Sequence, residues 1–483
     1  VEAARAGDSS WLQGLKSSLQ GANLIPWQFT DGLLKSAADH EPALRSAVLG
    51  LVDLPEPVSQ LDGFGVAVRA VHPGATACNL VALASVLLMS QHPATYPPYR
   101  ADPASDWAAR VGADPAGDTL RQRYEGLLHL CDGLLERSSA AGLEVRDRLD
   151  AQGIAWTVLR QAPPVRWPPL VQAQLAAWRR GDDPSLAVVE SGSGVAPRME
   201  EGAWQVLGRA LRGETSALDP TLTTWTAANA RELRARIQDI PAGGGGFMEK
   251  LAAQMAGADD AVIVLLAELL YLRNAPLTDM KAETKASRTN QVLAWGSTPR
   301  SLPQQLVDAL EQADAFKGGQ GYHAQTPGHA LWLTRFVEHW LSTPLAQRQE
   351  GLRDPYAFRD ITASTPGDMP TIRYVVEYLA WPGTFPSVVS ADHRAKIHKA
   401  LMSDLGEPSG ADDRSVTYDL SALQALHNRK AKGEGERYMW YRSPYRERWN
   451  PLVDSPPRAW LVRPGDGGSS LVSSWRDEGF VSL

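Results

Sequence analysis

Apolar residues recur along most of this chain at the three- and four-residue spacing of one helix face, and strand-like alternation is almost absent before residue 458. This spacing predicts helices over residues 80–89, 124–135, 143–159, 247–273, 302–312, 329–341, 371–378 and 392–405. Residues 80–89 are apolar on nearly every side, which is typical of a buried helix in a large core. The pattern therefore predicts a mainly α fold made of multi-helical, bundle-like units, followed by the beginning of a small β-domain.

Two linker-like stretches, and a change from helix-like to strand-like pattern near the end of the sequence, predict the domain organisation. Residues 161–169 contain four prolines, which end the preceding helix, and residues 241–246 form a glycine-rich connector. Residues 459–463 and 479–483 resemble strands, but so few strands do not make a stable sheet. We expect a helical unit at 1–160, a bridging helical and linker region at 161–241, a second helical unit at 242–452, and the start of a truncated β-domain at 453–483.

Composition and charge narrow the class of protein. Apolar residues make up 43% and charged residues 21%, which excludes wholesale disorder, and the net charge of −7 excludes a chain that is basic as a whole. Two cysteines, Cys78 and Cys131, exclude a disulfide framework and a thiolate zinc site. The longest apolar stretch, 261–272, is too short to span a bilayer. We expect a cytoplasmic protein with no membrane partner.

Most enzyme motifs are missing from the sequence. Neither glycine cluster, at 243–246 or at 318–321, is followed by the lysine of a phosphate-binding loop. The pairs His323/His329 and His393/His398 are six and five residues apart, so neither has the spacing that puts two metal ligands on one helix face. We therefore assign no catalytic residue, no cofactor-binding residue and no metal ligand to this chain.

Glu268 is the one carboxylate within the apolar stretch 261–272. A desolvated carboxylate serves as a catalytic acid or base in some enzymes. Buried charges are normally paired, so the favoured interpretation is an ion pair with an arginine or lysine of a neighbouring helix. The tryptophans that follow helix faces, such as Trp332, Trp340 and Trp381, are interpreted as core residues.

The strongest functional signal is the basic–aromatic segment, residues 428–448. It carries seven lysines and arginines against three glutamates, a local charge of +4, which leaves −11 for the rest of the chain. Basic side chains neutralise phosphates and aromatic rings stack on bases. The alternative is a solvated hinge whose aromatic residues pack on a neighbouring domain. The candidate nucleic-acid contacts are Arg437, Tyr438, Trp440, Tyr441, Arg442, Arg446 and Arg448.

Four helical stretches, at 79–100, 121–159, 250–272 and 329–358, together resemble the long amino-terminal region of McrB-like AAA+ ATPases of bacterial restriction and antiphage defence. Residues 458–483 resemble the opening of the small β, reader-like domain that follows this region in the family. The resemblance implies a helical region ahead of a nucleotide-driven motor. The motor motifs are not in this sequence, so nucleotide and magnesium are expected only in a downstream motor, and no cofactor is expected in this chain.

The resemblance implies a non-catalytic recognition or regulatory region. It would sense DNA or a protein trigger and couple that event to a downstream motor and a nuclease subunit, and any homo-oligomer would form through the motor. An alternative function is a pure protein–protein scaffold that docks a nuclease or phage protein without contacting nucleic acid. A third, an all-α enzyme, has the least support, because no constellation of nucleophile, base and metal ligands is evident.

Overall fold

The computed structural model describes residues 1–21, 24–113, 117–190, 192, 194–239, 246–312, 315–429 and 440–451. Over these residues the fold is mainly α, which confirms the prediction. The described part contains no strand, and its one β-bridge joins Leu277 and Phe316. The predicted β-domain at 453–483 lies outside the described residues. The chain divides into two compact units, Val1–Glu190 and Ser191–Leu483.

Ten α-helices and two short 3₁₀ helices build the first unit. The 3₁₀ helices are Pro57–Gln60 and Pro184–Leu186. The α-helices are α1 (Glu2–Arg5), α2 (Trp11–Gly21), α3 (Trp27–Ala37), α4 (Glu41–Val52), α5 (Leu61–Val71), α6 (Ala77–Gln91), α7 (Ala101–Val111), α8 (Leu120–Ala140), α9 (Arg148–Arg160) and α10 (Pro169–Arg180).

The core of the first unit forms around α6, the helix predicted to be buried. α6 begins where the Thr76 side chain accepts a hydrogen bond from the Asn79 backbone, and it contacts α4, α5 and α8. α8 begins with a reciprocal cap between Thr119 and Gln122 and contributes the fully buried Tyr124. One continuous apolar cluster extends from Ala4 in α1 into α9.

Fourteen α-helices and one 3₁₀ helix, Met402–Asp404, build the described part of the second unit. The α-helices are α11 (Pro197–Leu211), α12 (Ala227–Ile237), α13 (Phe247–Met255), α14 (Asp260–Asn274), α15 (Ala282–Leu293), α16 (Gln304–Leu310), α17 (Gly319–Ala324), α18 (Thr326–Ser342), α19 (Leu345–Gly351), α20 (Pro355–Ala363), α21 (Pro370–Ala380), α22 (Ala391–Leu401), α23 (Asp413–Asn428) and α24 (Tyr445–Trp449).

α14 is the central helix of the second unit. Every residue in its sequence from Val262 to Asn274 is buried, because α11, α12, α15, α18 and α21 all pack around it. A helix enclosed on all sides has no polar face, which explains the apolar run in the sequence that only Glu268 interrupts. A smaller cluster forms where α22, α23 and α24 meet, and it includes Trp440 and Trp449.

Two predicted helices differ from those in the structure. Residues 247–273 form two helices, α13 and α14, separated by a turn in which Gly257 has φ +68°. The helix predicted to start at Leu143 starts at Arg148, because the Asp147 side chain accepts a hydrogen bond from the Asp150 backbone and caps it there. Leu143 is an exposed residue of the preceding turn.

The two compact units divide the chain at residues 190 and 191, in the middle of the predicted bridging region at 161–241. α10 therefore belongs to the first unit, while α11 and α12 belong to the second. The proline-rich stretch at 161–169 ends α9 as expected, but it lies within the first unit. The interruption between α9 and α10 therefore does not coincide with the boundary between the two compact units.

Candidate functional site

The described tryptophan of the basic–aromatic segment lies inside the fold. Only 1% of Trp440 is exposed, and its indole N–H donates to Gln424 Oε1 at 3.3 Å. Trp449, one residue beyond the segment, donates to the Trp440 carbonyl oxygen at 2.7 Å. In this arrangement no face of the Trp440 ring is open to a base. Arg437 and Tyr438 lie outside the described residues.

Tyr441 packs in the same cluster. Its ring lies edge-on to those of His393 and Trp449, with centroids 5.7 Å away in both cases, and its hydroxyl lies 3.2 Å from His393 Nδ1. Burial raises the pKa of Tyr441. Tyr445 packs edge-on against His427 in the same way. The described aromatic residues therefore fix the end of the segment onto α22 and α23.

The three described candidate arginines have different surroundings. Arg442 and Arg446 are exposed. Arg448 forms a two-point ion pair with Asp404, with N–O distances of 2.6 and 2.7 Å. Hydrogen bonds from Arg448 lower the pKa of Asp404. Arg448 thus ties α24 to the 3₁₀ helix that follows α22, and Arg442 and Arg446 are exposed to solvent.

Glu268 is buried, as the sequence predicted, but its partners are hydroxyl groups. Ser216 Oγ donates to one carboxylate oxygen at 2.6 Å and Thr224 Oγ1 donates to the other at 2.7 Å. The structure contains no ion pair to Glu268 among the described residues, so the favoured ion-pair interpretation is wrong. Burial raises its pKa to about 7, against the opposing effect of the two hydroxyl donors.

The contacts of Glu268 indicate a structural role. The Ser216 hydroxyl also accepts from the backbone N–H groups of Leu218 and Asp219, so the carboxylate orients the loop between α11 and α12. With an exposed fraction of 1%, Glu268 lies outside each of the pockets described below. This geometry gives no support to a catalytic role for Glu268.

The histidine pairs do not converge. His323 Nε2 lies 3.2 Å from Asp279, whereas His329 Nδ1 accepts from Arg273 Nε at 3.3 Å. His398 bonds to Asp419 at 2.8 Å, while His393 packs on Tyr441. Within the described ranges, no group of three or more histidine, cysteine or acidic side chains is arranged to hold a metal ion.

A polar cleft that the sequence did not predict lies beside α15, and we name it the α15 cleft. Its volume is about 790 Å³, a size typical of small-molecule sites. Fourteen residues of α13, α14, α15, α17, α18 and the connecting turns line it: Gly246, Phe247, Met248, Glu249, Leu270, Asn274, Asp279, Met280, Lys281, Thr284, Arg288, Gln291, His323 and Thr326.

Two buried cations lie next to this lining. Arg273 is fully buried and donates to Asn274 Oδ1 at 2.7 Å and to the Tyr322 carbonyl oxygen at 2.8 Å. Its guanidinium carbon lies 4.4 Å from the centroid of the Tyr322 ring. Lys285 is 1% exposed and donates to the Ala275 carbonyl oxygen at 2.8 Å. Burial lowers the pKa of Lys285 to about 8.

A second pocket, of about 460 Å³, lies between α12 and α18. Arg231, Arg234 and Arg335 line it together with Glu338 and His339. Arg234 forms an ion pair with Glu338 at 2.9 Å. Ala227, Leu341, Ser342 and Pro366 complete the lining, and the pocket is smaller and more apolar than the α15 cleft.

One wall of the α15 cleft corresponds to a polar pattern in the sequence that neither composition nor known motifs reveal. Lys281, Thr284, Arg288 and Gln291 follow one another at spacings of three, four and three residues, which is one face of a helix. A polar stripe of this kind is also typical of a solvated helix face. Only the packing of α13 and α14 beside it distinguishes a cleft from ordinary surface.

Comparisons with known proteins find no family model, no curated protein and no solved structure that matches this chain. In the part of the chain that the structure describes, no helix has the length and apolar character needed to cross a membrane.

Proposed function

We propose that this chain is a recognition and regulatory region of an McrB-like defence ATPase. It senses DNA in the cytoplasm and transmits that event to a downstream motor and a nuclease subunit. Support comes from the four helical stretches that resemble the family's amino-terminal region and from the mainly α fold of the described residues. Nucleotide hydrolysis belongs to the downstream motor in this proposal.

The observation that carries the DNA contact is the arrangement of the basic–aromatic segment. Trp440 and Tyr441 pack into the cluster formed by α22, α23 and α24, and they hold the described end of the segment, residues 440–448, in place. Arg442 and Arg446 project from this anchored segment into solvent. Cations on a fixed support lose less conformational freedom on binding than cations on a mobile tail.

This arrangement supports contact with the phosphate backbone. Guanidinium groups bind phosphate oxygens and release condensed counterions, which supplies affinity that does not depend on base sequence. The buried Trp440 ring and the half-buried Tyr441 ring, which packs on His393 and Trp449, leave base stacking to residues other than these two. The segment would therefore position DNA, and sequence or modification would be recognised by other residues.

A double variant, Arg442→Ala with Arg446→Ala, tests the DNA contact. Each lost phosphate contact reduces the slope of log K against log salt by about 0.9. We expect weaker binding of a duplex and a salt slope smaller by about 2, measured by fluorescence anisotropy at several salt concentrations. Adding Arg437→Ala extends the same test to a third candidate arginine; the fourth, Arg448, is paired with Asp404.

The matched control removes two exposed arginines from the first unit, Arg146→Ala with Arg180→Ala. It makes the same change in net charge without altering the basic–aromatic segment. We expect DNA affinity close to that of the wild type. If both double variants bind DNA as the wild type does, the segment has no part in DNA binding.

A protein–protein scaffold is the second candidate function. The net charge of −7, with −11 outside the basic–aromatic segment, favours an acidic surface that docks a nuclease or a phage protein. A mobility-shift assay at two salt concentrations separates the candidates, because a scaffold shifts no DNA at either concentration. An AAA+ module downstream in the same open reading frame, with a nuclease encoded next to it, would support the family assignment for both candidate functions.

A further inference from the structure

The α15 cleft has a row of hydrogen-bond donors along one wall. Lys281 directly precedes α15, and Thr284, Arg288 and Gln291 follow on the same face. At a rise of about 1.5 Å per residue the row is about 15 Å long. Lys281 is exposed and Arg288 is half-buried, so both cationic groups are accessible from the cleft. A wall of this kind suits an anionic ligand with several oxygen acceptors.

The other lining residues include a set of apolar side chains: Phe247, Met248, Leu270 and Met280. Methionine side chains adapt their shape to flat or irregular surfaces, and aromatic rings stack on planar groups. Leu270 and Met280 are buried, whereas Phe247 and Met248 are half-buried and would stay in contact with water beside a simple inorganic anion. The composition of the lining therefore favours a ligand that has a ring or another apolar part as well as an anionic part.

The cationic side chains around the cleft have carboxylates nearby but none in direct contact. In the described ranges, Arg273, Lys281, Lys285 and Arg288 form no ion pair with an acidic side chain; the contacts of Arg273 and Lys285 are carbonyl and ring groups. Burying a cation without a counter-charge is unfavourable, and a bound anion offsets that cost.

The two acidic residues of the lining already have donors of their own. Asp279 accepts from the backbone N–H groups of Gly318 at 3.2 Å and Gly319 at 2.8 Å, and it contacts His323. Glu249 accepts from the Gly246 backbone at 3.0 Å, at the start of α13. These carboxylates are directed to the ends of helices, which leaves the row along α15 to a ligand.

We propose that the α15 cleft binds a small organic phosphate of nucleotide size. Its phosphate contacts Lys281 and Arg288, and its ring lies against the apolar side chains of the cleft. At about 790 Å³ the cleft is large enough for a ligand of one or two nucleotides. This site is separate from the DNA contact on the basic–aromatic segment, so each proposal is tested independently of the other.

Isothermal titration of the full chain with adenosine monophosphate tests the proposal. Loss of one charged hydrogen-bonding group costs about 1.5–3 kcal/mol, or roughly a tenfold to hundredfold loss of affinity. We expect Arg288→Ala and Lys281→Ala each to weaken binding by about tenfold or more. Lys281 is exposed, so we expect Lys281→Ala to retain the fold. This variant therefore tests the proposal even if Arg288→Ala is unstable.

The matched control is Arg231→Ala, which removes an arginine from the pocket between α12 and α18. We expect this variant and the Arg442→Ala, Arg446→Ala double variant to bind the nucleotide as the wild type does. Equal weakening in all variants would indicate a general effect of net charge and would overturn the assignment to the α15 cleft.

Two further probes identify the source of the phosphate. Inorganic phosphate should bind at least tenfold more weakly than the nucleotide, because it lacks the ring. In the Arg442→Ala, Arg446→Ala double variant, which lacks the proposed DNA contact, a 12-nucleotide single strand should bind no better than the free nucleotide. Equal affinity for inorganic phosphate would overturn the role of the apolar side chains. Binding of the strand alone would assign the cleft to nucleic acid and overturn the small-ligand proposal, as would absence of nucleotide binding up to millimolar concentrations.

Discussion

Glu268 is a buried residue whose contacts connect two parts of the fold and whose pKa is raised by burial. It belongs to the central helix α14, yet its oxygens reach Ser216 and Thr224 in the loop before α12. Hydroxyl donors satisfy a carboxylate without supplying a positive charge, so burial still raises its pKa to about 7. The folded protein therefore holds a proton on Glu268 at pH values where the unfolded chain releases it.

We predict that Glu268→Gln removes a pH dependence of stability. Glu268 has an ordinary pKa of about 4.5 when unfolded, so its contribution is fully present below pH 4.5 and is lost as the pH rises to about 7. The free energy of unfolding of the wild type relative to the variant should fall between pH 5 and pH 8, by a few kcal/mol at most. Denaturant unfolding at both pH values measures this difference.

The exposed Glu249→Gln provides the matched control, since Glu249 accepts one backbone hydrogen bond at the surface. Its stability relative to the wild type should vary little over the same range. If Glu268→Gln and the wild type keep the same difference at pH 5 and pH 8, Glu268 is charged in the folded protein throughout and the raised pKa is contradicted.

At the scale of elements, the boundary between α13 and α14 depends on one turn. Gly257 adopts φ +68°, a conformation that residues with a Cβ rarely take. Arg236 of α12 donates to the carbonyl oxygens of Ala256 at 3.1 Å and Gly257 at 3.2 Å. The apolar pattern is continuous across this turn, so periodicity alone predicted a single helix.

We predict that Gly257→Ala destabilises the second unit by about 1 kcal/mol, because alanine is strained at this φ. Gly321→Ala in α17 is the opposite case. Gly321 lies within a helix and a Cβ added there would meet open space, so alanine should stabilise by about 0.5 kcal/mol. Urea unfolding of both variants gives the comparison, and the same sign for both changes would contradict this account of the turn.

Polar contacts also join elements that the sequence shows only as separate helices. Asp413 at the start of α23 accepts from Arg359 of α20, and from Arg373 and Tyr374 of α21. Glu377 in α21 bonds to Arg373 at 2.8 Å and to Thr362 of α20 at 2.9 Å. Burial raises the pKa of Glu377, and the nearby arginines oppose that effect. This network fixes the relative positions of α20, α21 and α23.

At the scale of the molecule, two compact units have separate cores. The apolar cluster of the first unit is contained within residues 4–155, and α10 completes that unit before residue 190. A unit with its own continuous core is expected to fold without the other. The proline-rich stretch at 161–169 does not mark its end.

We predict that a fragment of residues 1–190 folds on its own, with helical circular dichroism and one cooperative thermal transition. A fragment of residues 1–119 is the matched control, because it lacks α8 and the buried Tyr124, Leu127 and Cys131. The shorter fragment should melt without cooperativity. Equally gradual melting of both fragments would contradict the independence of the first unit.

Some properties of the candidate site residues were predictable from residue types. The burial of Glu268 followed from the apolar residues on both sides of it, but its partners lie 44 and 52 residues earlier, in a loop with no distinctive pattern. The candidate arginines were visible as a local excess of charge. Which of their aromatic neighbours are buried depends on the packing of α22, α23 and α24, and no short stretch of sequence contains that information.

The sequence by itself determined the mainly α class of the described residues and the burial of α6, because helix periodicity and the lack of a polar face are local properties of the chain. Tertiary structure alone decided where the compact units divide, which aromatic rings are enclosed, and that Lys281 and Arg288 border a cleft. Those features depend on contacts between residues far apart in the sequence. Such contacts leave no periodic trace, because the partner of each side chain is set by how whole helices pack.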